Sequence, residues 1–132
     1  MRADCHMHTY FSGDSEAKPE DMVLAAIDKG LEAICFTDHE DIDYFCDDIE
    51  FVFDPETYFK ELGALKEKYK EKLDIRIGVE FGLQPHLAKK AKAFTAANPY
   101  DFVIGSMHVV GGKDPYYSEF FEGISDEEAY RM

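Results

Sequence analysis

Ala33-Ile34-Cys35-Phe36-Thr37-Asp38-His39 is the stretch from which the fold class is most directly predicted. Its first four residues form a short apolar run that follows a helical pattern, and such a run predicts a strand buried on both faces. Strands of this kind are typical of a parallel sheet flanked by helices. His39 then falls at the carboxyl end of the strand, where parallel sheets and barrels bind their ligands.

Three more predicted strands lie around this one in the chain. Residues 2–8 alternate in side-chain direction and end at two histidines, residues 75–80 are rich in β-branched side chains, and residues 102–104 are apolar. Each predicted strand is followed by a helix or a long loop. This order predicts repeated β-α units, and therefore an α/β protein with parallel strands.

Helices are predicted between these strands from apolar spacing and from residues typical of helix ends. Pro19 opens the first helix and Gly30 ends it, Asp54-Pro55 begins the second, and Pro85 begins the third. A further helix is predicted to start near Ser125. No linker or repeat divides the sequence, so we expect one domain.

Potential metal ligands stand at the carboxyl ends of all four predicted strands: His6, His8, His39, Glu80 and His108. His6 and His8 are two residues apart, so on an extended segment both imidazoles point to one side. A carboxylate between apolar neighbours, as at Glu80, is costly to bury unless it is paired or bound to a metal. We therefore expect these side chains to form one metal-binding cluster.

Plainer interpretations stay open for each of these residues. The two N-terminal histidines could be incidental on a surface strand, and Glu80 could leave the sheet for solvent. His39 could be a turn residue held by a hydrogen bond with Asp38. If His39 binds a metal, Asp38 is instead expected to support the ligands without binding the metal itself. His108 could occupy a turn after the fourth strand.

Two further polar residues, Asp14 and His86, lie outside the predicted strand ends. Asp14 lies in the first loop, where it fits either a cap before the first helix or a ligand of a third metal ion. His86 stands beside Pro85 at a helix start, where we expect it to be exposed. We therefore include Asp14 among the candidate ligands and leave His86 out.

The donor types indicate the chemistry. Imidazoles and carboxylates without thiolates suit zinc, manganese or iron. Two such ions about 3.5–4 Å apart can bind a phosphoryl oxygen, lower the pKa of a bridging water and stabilise the leaving oxygen. Together these effects promote the hydrolysis of a phosphoester. No protein nucleophile is then required, and the sequence contains neither a nucleophile elbow nor the glycine spacing of a phosphate-binding loop.

The composition excludes several classes of partner. The chain has 132 residues and a formal charge of −14, from 28 acidic and 14 basic residues, which argues against binding to nucleic acid or to an anionic membrane. No apolar run approaches the roughly 18 residues of a membrane helix.

The three cysteines are odd in number, so we expect a cytoplasmic protein without a disulfide framework. Residues 40–54 are acidic and aromatic enough to form a functional loop.

Taken together, the motifs resemble the polymerase and histidinol phosphatase (PHP) family of metal-dependent phosphoesterases. The resemblance spans nearly the whole chain and rests on four stretches: Cys5-His6-Met7-His8-Thr9, residues 33–39, Gly78-Val79-Glu80-Phe81-Gly82 and residues 101–112. It implies a distorted seven-stranded, TIM-like β/α barrel. It also implies up to three metal ions, with the ligands shared as follows: His6, His8 and Glu80 on the first, Glu80 and His108 on the second, His39 and Asp14 on the third.

Within the family, Ile104-Gly105-Ser106-Met107-His108 and the Gly-Gly-Lys-Asp soon after it are most similar to histidinol-phosphate phosphatases. That similarity implies L-histidinol phosphate as the substrate and a role in histidine biosynthesis. One alternative is a phosphatase or nuclease of the same family that acts on nucleotides. Another is a metal-binding or assembly module without turnover.

The sequence departs from the family pattern at its end. Family members carry a further histidine and a late Asp-x-His pair, but no histidine follows His108. We therefore expect residues 1–132 to be a partial PHP domain, the N-terminal half of the barrel. Half a barrel exposes strand edges, which predicts self-association into a homo-oligomer.

Overall fold

The structure, a computed structural model, describes residues 2–44 and 51–132. The helices and strands follow one another along the chain in this order: β1 Ala3–Met7, α1 Pro19–Asp28, β2 Ala33–Phe36, β3 His39–Glu40, α2 Pro55–Tyr69, β4 Asp74–Gly82, α3 Ala88–Ala97, β5 Phe102–Ser106 and α4 Asp126–Ala129. Short 3-10 helices lie at Pro85–Leu87 and Ser118–Phe120. Part of the functional loop predicted for residues 40–54 lies outside the described residues, and so does Cys46, one of the three cysteines.

The strands pair in parallel, as the sequence predicts. β1 pairs with β2, β2 and β3 pair with β4, and β5 pairs with the other edge of β4. The short β3 is an addition to the four predicted strands, but Phe36 lies opposite Ile77 and His39 opposite Glu80, so the register does not change between β2 and β3. The two short strands therefore act as one, and the sheet is four strands wide.

The hydrophobic core lies between this sheet and helices α1 and α2. Its buried side chains come from both layers: Val23 and Ala26 of α1, Ile34 and Phe36 of β2, Tyr58, Leu62 and Leu65 of α2, Ile75 and Ile77 of β4. The Tyr58 hydroxyl donates to the carbonyl of Gly78 at 3.1 Å and accepts from the amide of Asp38 at 3.4 Å. The end of β2 and the middle of β4 are thereby fixed against α2.

Helix boundaries follow the predicted capping residues with one difference. Asp54 caps α2 by accepting from the amide of Thr57 at 2.9 Å, and Gly30 follows α1 with a φ of +68°, which favours glycine. The helix predicted from Pro85 begins instead as a 3-10 turn, and α3 itself starts at Ala88. No residue of α3 is fully buried, so this helix covers the sheet less closely than α1 and α2 do.

The observed architecture is the parallel α/β half-barrel with flanking helices that the sequence predicts. In the part of the chain that the structure describes, β1 pairs only with β2 and β5 only with β4, so each keeps one open edge. Phe102 and Val103 of β5 are 48% and 42% exposed. Within residues 2–44 and 51–132, no helix has the length and apolar character needed to cross a membrane.

Candidate metal centre

The strand-end residues meet at the carboxyl end of the sheet. His6 lies in β1 and His8 just after it, His39 opens β3, Glu80 lies near the end of β4, and His108 follows β5. The parallel register places His39 directly opposite Glu80. Side chains from four parts of the sequence therefore reach one small region, as expected from the order of the strands.

Glu80 lies at the centre of this region and is only 5% exposed. Its Oε2 atom is 3.0 Å from Nε2 of His8, and its Oε1 atom is 3.0 Å from Nε2 of His108. The Ser106 hydroxyl donates to Oε1 at 2.6 Å, and Nε2 of His6 is 3.5 Å from Oε2. Oε2 thus faces the imidazoles at the end of β1, and Oε1 faces the imidazole that follows β5. This arrangement suits a carboxylate that bridges two metal ions.

Asp14 supplies a second carboxylate from the loop after β1. Its Oδ2 atom lies 3.0 Å from Nδ1 of His8 and 3.6 Å from Nε2 of His39. The N-cap residue of α1 is Lys18, which makes no side-chain cap. The structure therefore places Asp14 beside the imidazoles and not at the cap of the first helix. Its role as a metal ligand stays a prediction.

The potential ligand atoms form three overlapping groups, within each of which all atoms lie within 4.8 Å of one another: His6, His8 and Glu80; His8, Asp14 and His39; His39, Glu80 and His108. Successive imidazole rings contact edge to face, with centroids 4.9, 4.4 and 4.8 Å apart. Divalent cations fit this donor set, because neutral imidazoles and carboxylates are their common ligands and the carboxylates offset the cation charge.

When no cation is bound, protons on the imidazoles pair with the carboxylates. The hydrogen bond with Glu80 raises the pKa of His8 to about 9, and the hydrogen bond with Asp41 raises the pKa of His108 to about 10. Burial alone would raise the pKa of Glu80, but hydrogen bonds from His108 and His8 hold it far below its ordinary value. A metal ion must therefore displace protons from this site at neutral pH.

Asp41 is a candidate site residue that the sequence analysis missed. Its side chain is 5% exposed and accepts a hydrogen bond from Nδ1 of His108 at 2.8 Å. The Oδ2 atom also lies 2.8 Å from Nδ1 of His39, a close contact without hydrogen-bond geometry. Burial is the largest single influence and raises the pKa of Asp41, but the interactions with His108 and His39 together outweigh it and lower that pKa. Asp41 therefore stands as an anion between two imidazoles.

Spacing in the sequence could have identified Asp41. It lies two residues after His39, and on an extended segment two such side chains point to the same side, as those of His6 and His8 do. Gly82 leaves room for it, because a Cβ atom at Gly82 would lie 1.7 Å from Oδ1 of Asp41. The glycine is therefore required by the position of the carboxylate.

Asp38, expected to support the ligands from behind, is fully buried. It accepts hydrogen bonds from the amide and hydroxyl of Thr9 and from the hydroxyl of Ser12. Ser12 in turn accepts from the amide of His39 at 2.9 Å. The structure thus links Asp38 to the backbone of His39 through the first loop, and not to the imidazole.

His86, which the sequence analysis leaves out, lies outside the three groups of potential ligands. Its side chain is 58% exposed, and Nε2 lies 3.1 Å from Oδ2 of Asp43. The structure thus shows the exposed residue that was expected, although it belongs to the 3-10 turn.

The imidazole and carboxylate cluster lines an open cavity of about 560 Å³. The rest of the lining is mainly aromatic and acidic: Tyr44, Phe51, Asp114, Tyr116 and Tyr117. Among the described residues that line the cavity there is no lysine or arginine. An anionic ligand would therefore need bound cations to attract it.

Imidazoles and carboxylates that converge at the carboxyl ends of parallel strands are typical of the α/β proteins that bind divalent metal ions at this end of the sheet. The model of the PHP domain matches residues 4–132, and the chain therefore belongs to the PHP domain family. The resemblance inferred from the motifs is thereby confirmed.

Curated relatives agree with this assignment. The chain is 37% identical to the histidinol-phosphatase of Lactococcus lactis subsp. lactis (strain IL1403) over 98% of its own length and 48% of the relative's. It is 33% identical to a "probable histidinol-phosphatase" of Clostridium acetobutylicum, over 100% of this chain and 49% of that protein. The chain thus spans about half the length of the curated relatives it matches.

A solved structure gives the same result for the fold. The crystal structure of histidinol phosphate phosphatase from Lactococcus lactis, complexed with zinc, L-histidinol and phosphate, superimposes with a TM-score of 0.92. It is 37% identical and covers 98% of this chain and 49% of that one. A structure from Listeria monocytogenes, at 22% identity and a TM-score of 0.78, supports the fold alone.

Proposed function

We propose that this chain supplies metal-binding residues to a phosphatase that hydrolyses L-histidinol phosphate. The observation that carries the proposal is the position of Glu80, whose two oxygens each face an imidazole from a different strand. The relatives support this choice of substrate, since one is a histidinol-phosphatase and a crystal structure of histidinol phosphate phosphatase from the same species contains zinc, L-histidinol and phosphate.

Zinc is the metal we propose, with manganese and iron as alternatives that suit the same donors, and up to three ions. The proposed ligands are the six residues of the three groups: His6, His8, Asp14, His39, Glu80 and His108. When bound, such ions polarise a phosphoryl oxygen and activate water for attack on phosphorus. The ligand assignment rests on their convergence and on the donor types.

The residues of this chain have distinct roles in the proposal. Glu80 is the shared carboxylate, which Ser106 holds in place through a hydrogen bond of 2.6 Å. Asp41 accepts a hydrogen bond from Nδ1 of His108 and so leaves Nε2 to face the cluster. Asp14 adds negative charge beside His8, which stabilises a cation there.

The phosphate group of the substrate is proposed to bind at this cluster. The described cavity lining has no lysine or arginine, and its four carboxylates outnumber the protonated imidazoles of His8 and His108, so without metal ions it would repel a phosphate: Asp14, Asp41, Glu80 and Asp114. Anion binding is therefore expected to depend on metal loading, a property that separates this site from one built on arginines.

Phosphate release by the zinc-loaded chain tests the proposal. We expect release from L-histidinol phosphate, loss of that release in Glu80→Gln, and little change in His86→Ala, whose exposed side chain lies outside the ligand groups. Circular dichroism of each variant separates a lost site from a lost fold.

Other results would support the alternatives. Equal release from nucleoside monophosphates and from L-histidinol phosphate would indicate a nucleotide-directed enzyme of the family. Bound zinc without release from either substrate would indicate a metal-binding module and would contradict turnover by this chain.

A further inference from the structure

Asp114 lines the same cavity as the metal ligands but belongs to none of the three ligand groups. Both of its oxygens are held. The Tyr44 hydroxyl donates to Oδ2 at 2.6 Å, and the amide of Tyr116 donates to Oδ1 at 2.7 Å. A half-buried carboxylate is thus fixed at the cavity wall in a defined orientation.

Aromatic rings connect this carboxylate to the metal ligands. The His39 ring contacts Phe51, with centroids 4.9 Å apart, and Phe51 contacts Tyr44 at 5.0 Å. Tyr44 then reaches Asp114 through its hydroxyl. One side of the cavity is therefore a continuous aromatic surface, with imidazoles at one end and a carboxylate at the other.

The charge at the carboxylate end is negative. Burial and the hydrogen bond with Asp114 both raise the pKa of Tyr44, so its hydroxyl keeps its proton and acts as a donor. No lysine or arginine is found among the described lining residues to neutralise Asp114. Carboxylates and aromatic faces together attract organic cations.

We propose that Asp114, positioned by Tyr44, binds the cationic end of the substrate, a protonated amine or imidazolium carried by a small phosphomonoester. The proposal rests on the proposed function, because that function places the phosphate at the opposite end of the cavity. Asp114 is then the residue by which the site distinguishes cationic phosphomonoesters from neutral or anionic ones such as nucleoside monophosphates.

Binding of two separate probes tests this subsite without requiring turnover. Isothermal titration of the zinc-loaded chain with L-histidinol, which carries the cations but no phosphate, probes the Asp114 end. The same titration with inorganic phosphate probes the metal end. We expect Asp114→Asn to weaken L-histidinol binding about tenfold to a hundredfold, the loss typical of a hydrogen bond to a charged group, and to leave phosphate binding unchanged.

Two further variants sharpen the comparison. Tyr44→Phe keeps the ring and removes the hydroxyl that holds Asp114, so a smaller loss of L-histidinol affinity is expected. Glu122→Gln makes the same change of charge at an exposed residue of the same segment outside the cavity lining, and should bind like wild type. If Asp114→Asn does not fold, the Tyr44→Phe result decides the question.

The outcomes separate the subsite from the proposed function. Equal L-histidinol affinity in wild type, Asp114→Asn and Tyr44→Phe would overturn the subsite, as would phosphate binding by a wild type that does not bind L-histidinol. Asp114-dependent L-histidinol binding without phosphate binding or phosphate release would support the subsite and contradict the proposed phosphatase.

Discussion

The Oδ1 atom of Asp41 lies 2.8 Å from Nδ1 of His108, although 67 residues separate the two in sequence. The other nitrogen of His108, Nε2, lies 3.0 Å from Glu80. A carboxylate behind a metal-binding imidazole fixes the ring orientation and raises its basicity. Asp41 is therefore a positioning residue for the proposed site.

Replacing Asp41 should weaken metal binding without removing a ligand. We expect Asp41→Asn to lower zinc affinity about tenfold to a hundredfold, because the imidazole of His108 loses its anionic partner. Competition with a chromogenic chelator measures the change. Asp43→Asn, at an exposed carboxylate paired with His86, is the matched control and should bind zinc like wild type. Unchanged affinity in Asp41→Asn would remove the positioning role.

Gly82→Ala should disturb the same carboxylate from the opposite side. The new Cβ atom would meet Oδ1 of Asp41 at 1.7 Å, so the carboxylate has to move away from His108. We expect weaker zinc binding and a lower melting temperature. Gly63→Ala in α2, where a Cβ atom meets nothing within 4 Å, should raise stability slightly through better helix propensity. Equal behaviour of the two variants would contradict this explanation of Gly82.

The stability of the zinc-free protein should fall with rising pH. The pKa of His8 is raised from 6.5 to about 9 and that of His108 to about 10, so the protonated pairs stabilise the fold fully below pH 6.5 and lose their effect towards pH 10. The lowered pKa values of Glu80 and Asp41 predict a second loss in acid, below about pH 4. Melting temperatures measured in chelator across this range test both.

Zinc affinity should change in the opposite direction over the alkaline range. Zinc displaces the protons of His8 and His108, so its affinity is expected to rise from pH 6.5 towards pH 9. A His108→Gln variant should lose part of the pH dependence of stability, and His86→Gln should keep it. A melting temperature in chelator that is flat from pH 6.5 to 10 would contradict the proposed proton pairs.

Self-association through the open strands is also expected. In the described residues β1 and β5 each pair along one edge only, which leaves backbone donors and acceptors available to a second sheet. Light scattering should give a mass above the 15.1 kDa of one chain. Val103→Lys on the exposed face of β5 should reduce that mass, whereas Leu24→Lys on α1 should not. A clean monomer at high protein concentration would contradict this prediction.

The sequence predicts the sheet well because short apolar runs and helix caps are local signals. The strand at residues 33–36, the cap at Asp54 and the stop at Gly30 are all found as predicted. The exact start of α3 is not, because a proline suits a 3-10 turn as well as the first turn of an α-helix.

The candidate site is predictable to the extent that strand ends are. Parallel order alone brings the four histidines and Glu80 together. The roles of Asp38 and Asp41 are harder to predict, because they depend on hydrogen bonds between side chains that are distant in sequence. Examples are the bonds from Thr9 to Asp38 and from His108 to Asp41. No local pattern encodes such contacts, although the spacing of Asp41 from His39 was a usable signal.

Metal content is the most direct measure of whether these strand ends form a site for divalent cations. Elemental analysis of protein purified without added metal, compared with Glu80→Gln and His86→Ala, should give two or three equivalents in wild type and in His86→Ala. Glu80→Gln should lose most of the metal, because two of the three ligand groups share that carboxylate. Less than one equivalent in folded wild-type protein, or equal metal in Glu80→Gln and wild type, would contradict the account.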